Sequence, residues 1–243
     1  VLSPKKDKSE LKDNDYIVKT IVTTNLISDI GTDYGVKYYD TLTGFKYIGE
    51  VITRELGKEN YLVGGEESYG FLVGDLVRDK DAVNSCAFIA EMAAYFKTQG
   101  KSLYEVLLEL YVNYGFYKEK LISLTKKGKA GADEIKQMMV DLRADAPKTL
   151  GGVQVKEIRD YENQVATNLI SGDTSVIDLP KSDVLQFITV DGDVISARPS
   201  GTEPKIKFYC SVKETLLDAS NYEAISAKLE QKVENIMADI VKG

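Results

Sequence analysis

Along residues 1–113, short β-branched apolar runs alternate with longer stretches in which apolar residues recur at helical spacing. The run at residues 16–24 (YIVKTIVTT) is typical of a buried strand, whereas Phe45, Ile48 and Ile52 lie on one face of a helix. Further strands are predicted at residues 36–40 and 61–63, and further helices at residues 25–35, 81–99 and 102–113. Such alternation predicts an α/β layer with loops at the strand ends.

Beyond Gly115 the pattern changes to several short β-like runs and two helices. Strands are predicted at residues 116–125, 153–158, 184–190, 194–198 and 206–212, helices at 133–144 and 220–241, and a basic loop at 126–131. We therefore predict an α/β plus α+β fold class with two domains. A mixed α/β domain at residues 1–113 is followed by a smaller α+β domain at residues 114–243.

The overall charge limits the classes of partner. Acidic residues number 38 and basic residues 31, so the formal net charge is −7. Non-specific nucleic-acid binding needs a basic face that neutralises phosphates, so no nucleic-acid partner is expected. No apolar run approaches the roughly 20 residues of a membrane span, so no membrane partner is expected.

Histidine and cysteine usage excludes several kinds of catalytic site. Because the chain has no His, it has no Ser-His-Asp or Cys-His pair and no His-ligated zinc. Cys86 and Cys210 are too few and too far apart for a four-cysteine metal site or a disulfide framework. Two isolated cysteines suit a reducing compartment, so we predict a cytoplasmic protein in which both cysteine side chains are buried.

The first motif that could carry chemistry is GGEESYG at residues 64–70, directly after a predicted strand. Its glycines allow unusual backbone angles. The Glu66 carboxylate and the Ser68 hydroxyl could bind adjacent hydroxyls of a sugar, since the carboxylate accepts hydrogen bonds and the hydroxyl donates or accepts them. On the residues alone, a polar turn is the alternative.

The second motif is RPSGTEPK at residues 198–205, between two β-like runs. Its phosphate-binding candidates are Arg198, Ser200, Gly201, Thr202, Lys205 and, just beyond it, Lys207. Two hydroxyls and consecutive backbone N–H groups suit an anion, and the glycine lets the backbone curl into a nest. The arginine can form a bidentate contact with phosphate, and the two lysines share one strand face. A hairpin turn with incidental charges is the alternative.

Two shorter loops and one hairpin complete the candidates. Residues 43–46 (TGFK) precede a predicted helix and form either a substrate loop or an ordinary capped turn. Residues 78–81 (RDKD) precede the long helix, where Asp81 is a natural N-cap flanked by charges. Asp191-Gly192-Asp193 is predicted to be a hairpin turn, because an Asp-Gly turn between two predicted strands is the common hairpin signal. The alternative, half of a metal loop, is disfavoured because two carboxylates without a third ligand make a poor Mg²⁺ site.

Together these motifs resemble the α-D-phosphohexomutase family, the phosphoglucomutases and phosphomannomutases. Residues 65–70 are similar to the sugar-binding loop in the third domain of that family, and residues 198–205 to the phosphate-binding loop in its fourth domain. Residues 43–46 and 78–81 match as well, in the expected order. The sequence of residues 41–46 (TLTGFK) is most similar to that of bacterial phosphoglucomutases related to phosphopentomutases.

The resemblance implies a reaction and a set of substrate-binding residues. The family moves a phosphoryl group between O1 and O6 of a hexose through a sugar 1,6-bisphosphate and an enzyme phosphoserine, with Mg²⁺. Glu66 and Ser68 would hold sugar hydroxyls in both orientations, and the fourth-domain loop would hold the phosphate that is not reacting. The implied substrate-binding residues are Thr43, Gly44, Lys46, Glu66, Ser68, Lys80, Arg198, Ser200, Gly201, Thr202, Lys205 and Lys207.

Two motifs of the family are missing from this sequence. Its phosphoserine loop carries a Ser-His pattern and its metal loop an Asp-Gly-Asp-x-Asp-Arg pattern, and neither occurs here. We therefore expect the chain to be the third and fourth domains of a longer isomerase, partnered by the N-terminal domains of the same enzyme. Mg²⁺ and glucose 1,6-bisphosphate would act in the intact enzyme, and this chain would supply no catalytic residue and no metal ligand.

Other functions stay open at this point. A free-standing, non-catalytic sugar-phosphate-binding module is the alternative to an enzyme part. Within the enzyme class, a phosphopentomutase or a phosphoglucosamine mutase is the alternative, although the sequence of the loop at residues 41–46 favours glucose.

Overall fold

Strands and helices alternate through the first part of the chain, as the apolar spacing predicts. The computed structural model describes residues 1–201 and 203–242. In chain order the elements of this part are α1 (Leu2–Asp7), β1 (Asp15–Thr20), α2 (Leu26–Asp33), β2 (Lys37–Thr41), α3 (Phe45–Glu55), β3 (Asn60–Glu66), β4 (Gly70–Val73), α4 (Ala82–Thr98) and α5 (Leu103–Tyr114).

A four-stranded sheet in the order β2–β1–β3–β4 organises these elements. β1 is parallel to β2 and to β3, and β4 is antiparallel to β3. The carboxyl ends of the three parallel strands, at Thr20, Thr41 and Glu66, therefore share one edge of the sheet. Helix α3 begins four residues after β2, so its N-terminus lies at the same edge, and Phe45 and Ile48 anchor it in a core with sheet residues.

Helices α4 and α5 begin at the predicted caps. The Asp81 carboxylate accepts a hydrogen bond from the backbone N–H of Asn84, and Ser102 and Glu105 form the reciprocal capping box. Helix α4 nevertheless leaves Cys86 exposed, so the prediction that both cysteines are buried is wrong for this one. Apolar residues occur on all sides of α4, and their spacing could not show which side faces solvent.

The chain divides into two compact units, Val1–Gly115 and Phe116–Gly243. This division falls two residues after the boundary we placed from the sequence, and the second unit is the longer of the two rather than the smaller. Its elements are β5 (Phe116–Thr125), α6 (Gly128–Ala144), β6 (Thr149–Leu150), β7 (Val153–Asp160), β8 (Val165–Asn168), β9 (Thr174–Val176), β10 (Leu185–Thr189), β11 (Val194–Pro199), β12 (Lys205–Glu214) and α7 (Tyr222–Lys242).

The strands of the second unit form an antiparallel sheet. Its order is β5–β12–β11–β10–β7–β8–β9, and β6 pairs with β7 off this path. The predicted turn at residues 191–193 joins β10 to β11 and is confirmed as a hairpin. Its Asp193 is fully buried, where it contacts the Thr189 hydroxyl and the Lys232 ammonium group. The carboxylate at this position therefore serves the turn.

Three local features of the second unit differ from the sequence prediction. Helix α6 begins at Gly128, where a basic loop was expected, and buried Gly131 lets its first turn approach Lys126 closely. A short 3₁₀ turn capped by Asp218 precedes α7, in place of the capping box expected at Ser220. The strands β4, β6, β8 and β9 were not predicted, because runs of two to four residues are too short to show alternation. Among the described residues, no helix is both long and apolar enough to cross a membrane.

Candidate substrate-binding sites

Glu66 is the best-placed candidate at the carboxyl edge of the first sheet. It is the last residue of β3, it is buried, and its Oε1 accepts a hydrogen bond of 2.7 Å from the backbone N–H of Gly44. Gly44 is the N-cap of α3, so the carboxylate meets the partial positive charge of the helix N-terminus. Two predicted site residues, Gly44 and Glu66, are therefore in direct contact.

Lys80 joins this cluster around Gly70. A Cβ added at Gly70 would lie 3.1 Å from Lys80 Cδ and 3.3 Å from Glu66 Oε2, so both side chains border the same small space. The Lys80 ammonium group lies 5.3 Å from the centre of the Phe45 ring and 3.0 Å from Asp79 Oδ1. The backbone N–H of Lys80, and then its ammonium group, lower the pKa of the Asp79 carboxyl.

Ser68 lies on a three-residue hairpin loop, because Glu66 pairs with Gly70 across the turn. The left-handed residue of this loop is Tyr69, with φ of 60° and 95% of its surface exposed. The glycines of the motif do not adopt positive φ, contrary to expectation. Gly64 is required for close packing instead, since a Cβ there would lie 2.6 Å from the carbonyl oxygen of Val18.

The structure adds a group of residues that the sequence analysis missed. Glu67 Oε2 accepts hydrogen bonds from the Thr23 hydroxyl at 3.0 Å and the Thr20 hydroxyl at 3.4 Å, and Glu67 Oε1 accepts from Ser68 Oγ at 3.1 Å. These residues meet only because β1 and β3 pair in parallel, which no spacing along the chain reveals. The sequence does hold one indication of polar contacts at this edge, since the lysine in the buried run at residues 16–24 needs a charged partner.

That lysine, Lys19, has 1% of its side chain exposed and forms an ion pair of 2.7 Å with Asp40 on β2. Its ammonium group also contacts the carbonyl oxygens of Thr20 and Thr23 at 3.4 Å. A buried positive charge therefore lies at the carboxyl edge of the sheet, next to the threonines that hold Glu67.

Thr43 and Lys46, the remaining candidates of the first unit, lie in different surroundings. The Thr43 hydroxyl oxygen is buried and has no hydrogen-bond partner among the described residues. Lys46 is exposed, and its ammonium group lies 4.6 Å from the centre of the Tyr47 ring, so the structure does not bring it into the contacts around Glu66.

In the second unit, the predicted basic residues share one sheet face. Arg198 on β11 pairs directly with Lys207 on β12, and Lys205 lies two residues along the same strand. Like charges directly opposite each other are destabilising. Within residues 1–201 and 203–242, none of the three has a carboxylate at ion-pair distance, so the cluster is suited to a bound anion.

The loop next to this cluster forms a closed turn. The backbone N–H of Ser200 donates to the carbonyl oxygen of Lys205 at 2.7 Å, and the N–H of Glu203 donates to Ser200 Oγ at 3.3 Å. Gly201 does not adopt the left-handed conformation that an anion nest would use, so the structure does not show the expected curl there. Thr202 lies outside the described residues.

The residues that the structure describes do not fit a magnesium site. They contain no group of three or more His, Cys, Asp or Glu side chains that could hold a metal ion. Mg²⁺ needs several oxygen ligands in octahedral geometry, and the described residues do not supply such a set.

Comparison with known protein families matches most of the chain. The model of the phosphoglucomutase/phosphomannomutase alpha/beta/alpha domain III matches residues 3–114, and the model of the C-terminal domain of the same family matches residues 129–218. The chain belongs to the phosphoglucomutase/phosphomannomutase family. It corresponds to domains III and IV, which confirms the family resemblance and the two-domain fold class, α/β plus α+β, drawn from the sequence.

Individual relatives of this chain are named phosphoglucomutases. A phosphoglucomutase of Staphylococcus epidermidis is 35% identical over 91% of this chain, and one of Staphylococcus aureus is 38% identical over 81%. The chain spans only 40% and 36% of the length of these two relatives. The open form of pp63/parafusin, a phosphoglucomutase from Paramecium, shares the fold with a TM-score of 0.56, at 17% identity, over 93% of this chain and 38% of its own.

Proposed function

We propose that this chain is the substrate-binding part of a phosphoglucomutase, which interconverts glucose 1-phosphate and glucose 6-phosphate. The observation that carries the proposal is the pairing of Arg198 with Lys207 across two strands, without a carboxylate partner in the described parts of the chain. Bringing two like charges together costs stability, and a bound phosphate dianion would offset that cost. The relatives named phosphoglucomutase support glucose as the sugar.

The sugar would bind at the carboxyl edge of the first sheet. Glu66 Oε1 is already used by the N–H of Gly44, which holds the carboxylate in place, and Oε2 remains for sugar hydroxyls. Ser68 lies two residues further on the exposed loop, and the Lys80 side chain borders the same space as Glu66. A carboxylate, a hydroxyl and an ammonium group at one edge give the mixed acceptors and donors that a sugar phosphate requires.

The phosphoryl transfer itself would take place in the intact enzyme. A phosphoserine, Mg²⁺ and glucose 1,6-bisphosphate would act there together with the N-terminal domains, and a cytoplasmic location stays a prediction. We expect chain 1–243 alone to bind sugar phosphate weakly and to turn over none, because it has no His to activate a hydroxyl nucleophile and its described residues offer no metal site.

The test is a coupled assay on the full-length protein, with Mg²⁺ and a trace of glucose 1,6-bisphosphate. We expect sustained conversion of glucose 1-phosphate, and slower conversion of the corresponding mannose, N-acetylglucosamine and ribose phosphates. The purified chain 1–243, freed of host mutase, is the control and should show none. Binding without turnover by the full-length protein would contradict the proposal and favour a non-catalytic sugar-phosphate-binding module.

A further inference from the structure

We propose that Glu67 is a positioning residue that fixes the Ser68 hydroxyl as a hydrogen-bond acceptor toward the sugar. The inference rests on the proposed function, since it assigns a task to a neighbour of the proposed sugar ligands. Glu67 itself would not touch the substrate. It would act through Ser68, whose hydroxyl hydrogen it holds.

The contacts of Glu67 divide cleanly between its two carboxylate oxygens. Oε2 accepts hydrogen bonds from Thr20 and Thr23, whose hydroxyl oxygens are themselves 2.9 Å apart. Both threonines are buried, Thr20 as the last residue of β1 and Thr23 three residues beyond it, so this side is anchored next to the sheet. Oε1 accepts the single hydroxyl hydrogen of Ser68, at 3.1 Å. The carboxylate therefore links the exposed loop to the rigid end of β1.

This arrangement limits what Ser68 can do for a ligand. A serine hydroxyl has one hydrogen and two lone pairs. With the hydrogen donated to Glu67, only the lone pairs of Ser68 Oγ remain for the sugar, and an ionised Glu66 likewise only accepts. Two adjacent sugar hydroxyls would then both act as donors. That pattern is unchanged when the sugar reverses its orientation in the site, provided that each hydroxyl can rotate its hydrogen.

The geometry of the loop gives a second reason why the Ser68 hydroxyl needs an anchor. Ser68 lies between the buried end of β3 and Tyr69, which holds a left-handed conformation. Apart from its bond to Glu67, the Ser68 side chain is exposed. Without the carboxylate, the hydroxyl would rotate freely, and binding would have to order it at a cost in affinity.

The test compares two substitutions of Glu67 in the full-length protein, with steady-state kinetics for glucose 1-phosphate and inhibition by inorganic phosphate. Glu67→Met keeps the length of the side chain and removes both acceptors. We expect it to weaken kcat/KM about tenfold, the size of one lost hydrogen bond, while the inhibition constant of phosphate stays within about twofold. Glu67→Gln keeps one acceptor oxygen, and we expect it to restore most of the loss.

A double-mutant cycle with Ser68→Ala separates positioning from a structural role. If Glu67 acts through Ser68, Glu67→Met should cost nothing further once Ser68 is alanine. A full additional loss in that background would overturn the proposal, and so would wild-type kinetics in Glu67→Met alone. If Glu67→Met does not fold, Thr23→Val and its conservative partner Thr23→Ser replace it, with the loss expected only for valine. An inactive wild-type protein would instead contradict the proposed function.

Discussion

The two oxygens of the Glu66 carboxylate lie in different surroundings in the first unit. One oxygen caps α3 through the N–H of Gly44, and the other borders the space between Gly70 and Lys80. A residue that only capped the helix could be replaced by any acceptor, and a residue that only bound sugar would not need to be buried. If Glu66 binds the sugar as proposed, the combination would tie the position of the sugar to the position of a helix.

The two cysteines should differ sharply in reactivity. Burial raises the pKa of the Cys210 thiol to about 12, so almost no thiolate forms at neutral pH, whereas Cys86 is exposed on α4. In chain 1–243 at pH 7 we expect a maleimide to label one thiol in the native state and two after denaturation. Cys86→Ala should abolish native labelling. Rapid native labelling of Cys210 would show that the second sheet is less closed than described.

Single residues also show what the sequence could and could not reveal. The caps at Asp81 and Ser102 were predicted because a cap is a contact between residues three apart. The contact between Thr23 and Glu67 was not, because it joins residues 44 apart in the chain. Motif spacing therefore indicated Glu66 and Ser68, while the residue that holds Ser68 became visible only in the folded sheet.

Among the elements, α3 determines where the candidate loops of the first unit lie. Its buried face packs on β1 and β3, and its midpoint approaches the segment that carries Lys80. A Cβ on Gly49 would lie 2.7 Å from the carbonyl oxygen of Arg78, a distance shorter than Cβ atoms in proteins normally keep from a neighbouring atom. The glycine in this helix is therefore required by packing, although glycine lowers intrinsic helix propensity.

Replacing Gly49 by alanine should destabilise the first unit. Alanine would gain about 1 kcal/mol in helix propensity, but the clash with backbone should cost about 1–3 kcal/mol and displace the segment at residues 78–80. Urea unfolding of Gly49→Ala and of the control Glu50→Ala, an exposed site in the same helix, measures this. The control should stay within about 0.5 kcal/mol of wild type. A Gly49→Ala variant more stable than wild type would disprove the close approach.

Glu230 on helix α7 forms ion pairs with two lysines of β5. Glu230 contacts Lys118 at 2.9 Å and Lys120 at 2.5 Å, and hydrogen bonds from Lys120 and then Lys118 lower the pKa of its carboxyl to about 2. Because the folded-state pKa is below the ordinary value of 4.5, the contribution to stability is complete above pH 4.5 and is lost as the pH falls toward 2.

Glu230→Gln should therefore flatten the acid side of the stability profile. We expect the unfolding midpoint of the variant to fall less than that of wild type between pH 4.5 and 2. Asp178→Asn, at an exposed carboxylate in the loop after β9, is the control and should follow the wild-type curve. Thermal melts at half-unit pH steps measure the effect. Identical curves for Glu230→Gln and wild type would mean that the pair does not persist in solution.

At the scale of the whole molecule, the two units carry complementary chemistry. The chain has a net charge of −7, yet the second unit gathers Arg198, Lys205 and Lys207 on one sheet face. The first unit offers a buried carboxylate and a hydroxyl at a sheet edge. The family, the fold class and these two loops could be predicted from sequence motifs. The burial of helix faces could not, because it depends on what each face packs against.

Calorimetric titration of the full-length protein tests the proposed division of labour between Glu66 and Arg198. Glucose 1-phosphate and inorganic phosphate would be titrated into wild type, Arg198→Ala and Glu66→Gln. We expect Arg198→Ala to weaken both ligands about ten- to a hundredfold, as for a lost charge-assisted hydrogen bond. Glu66→Gln should weaken only the sugar phosphate. Equal losses for both ligands in Glu66→Gln, or unchanged affinities in a folded Arg198→Ala, would show that the two residues do not divide sugar and phosphate binding in this way.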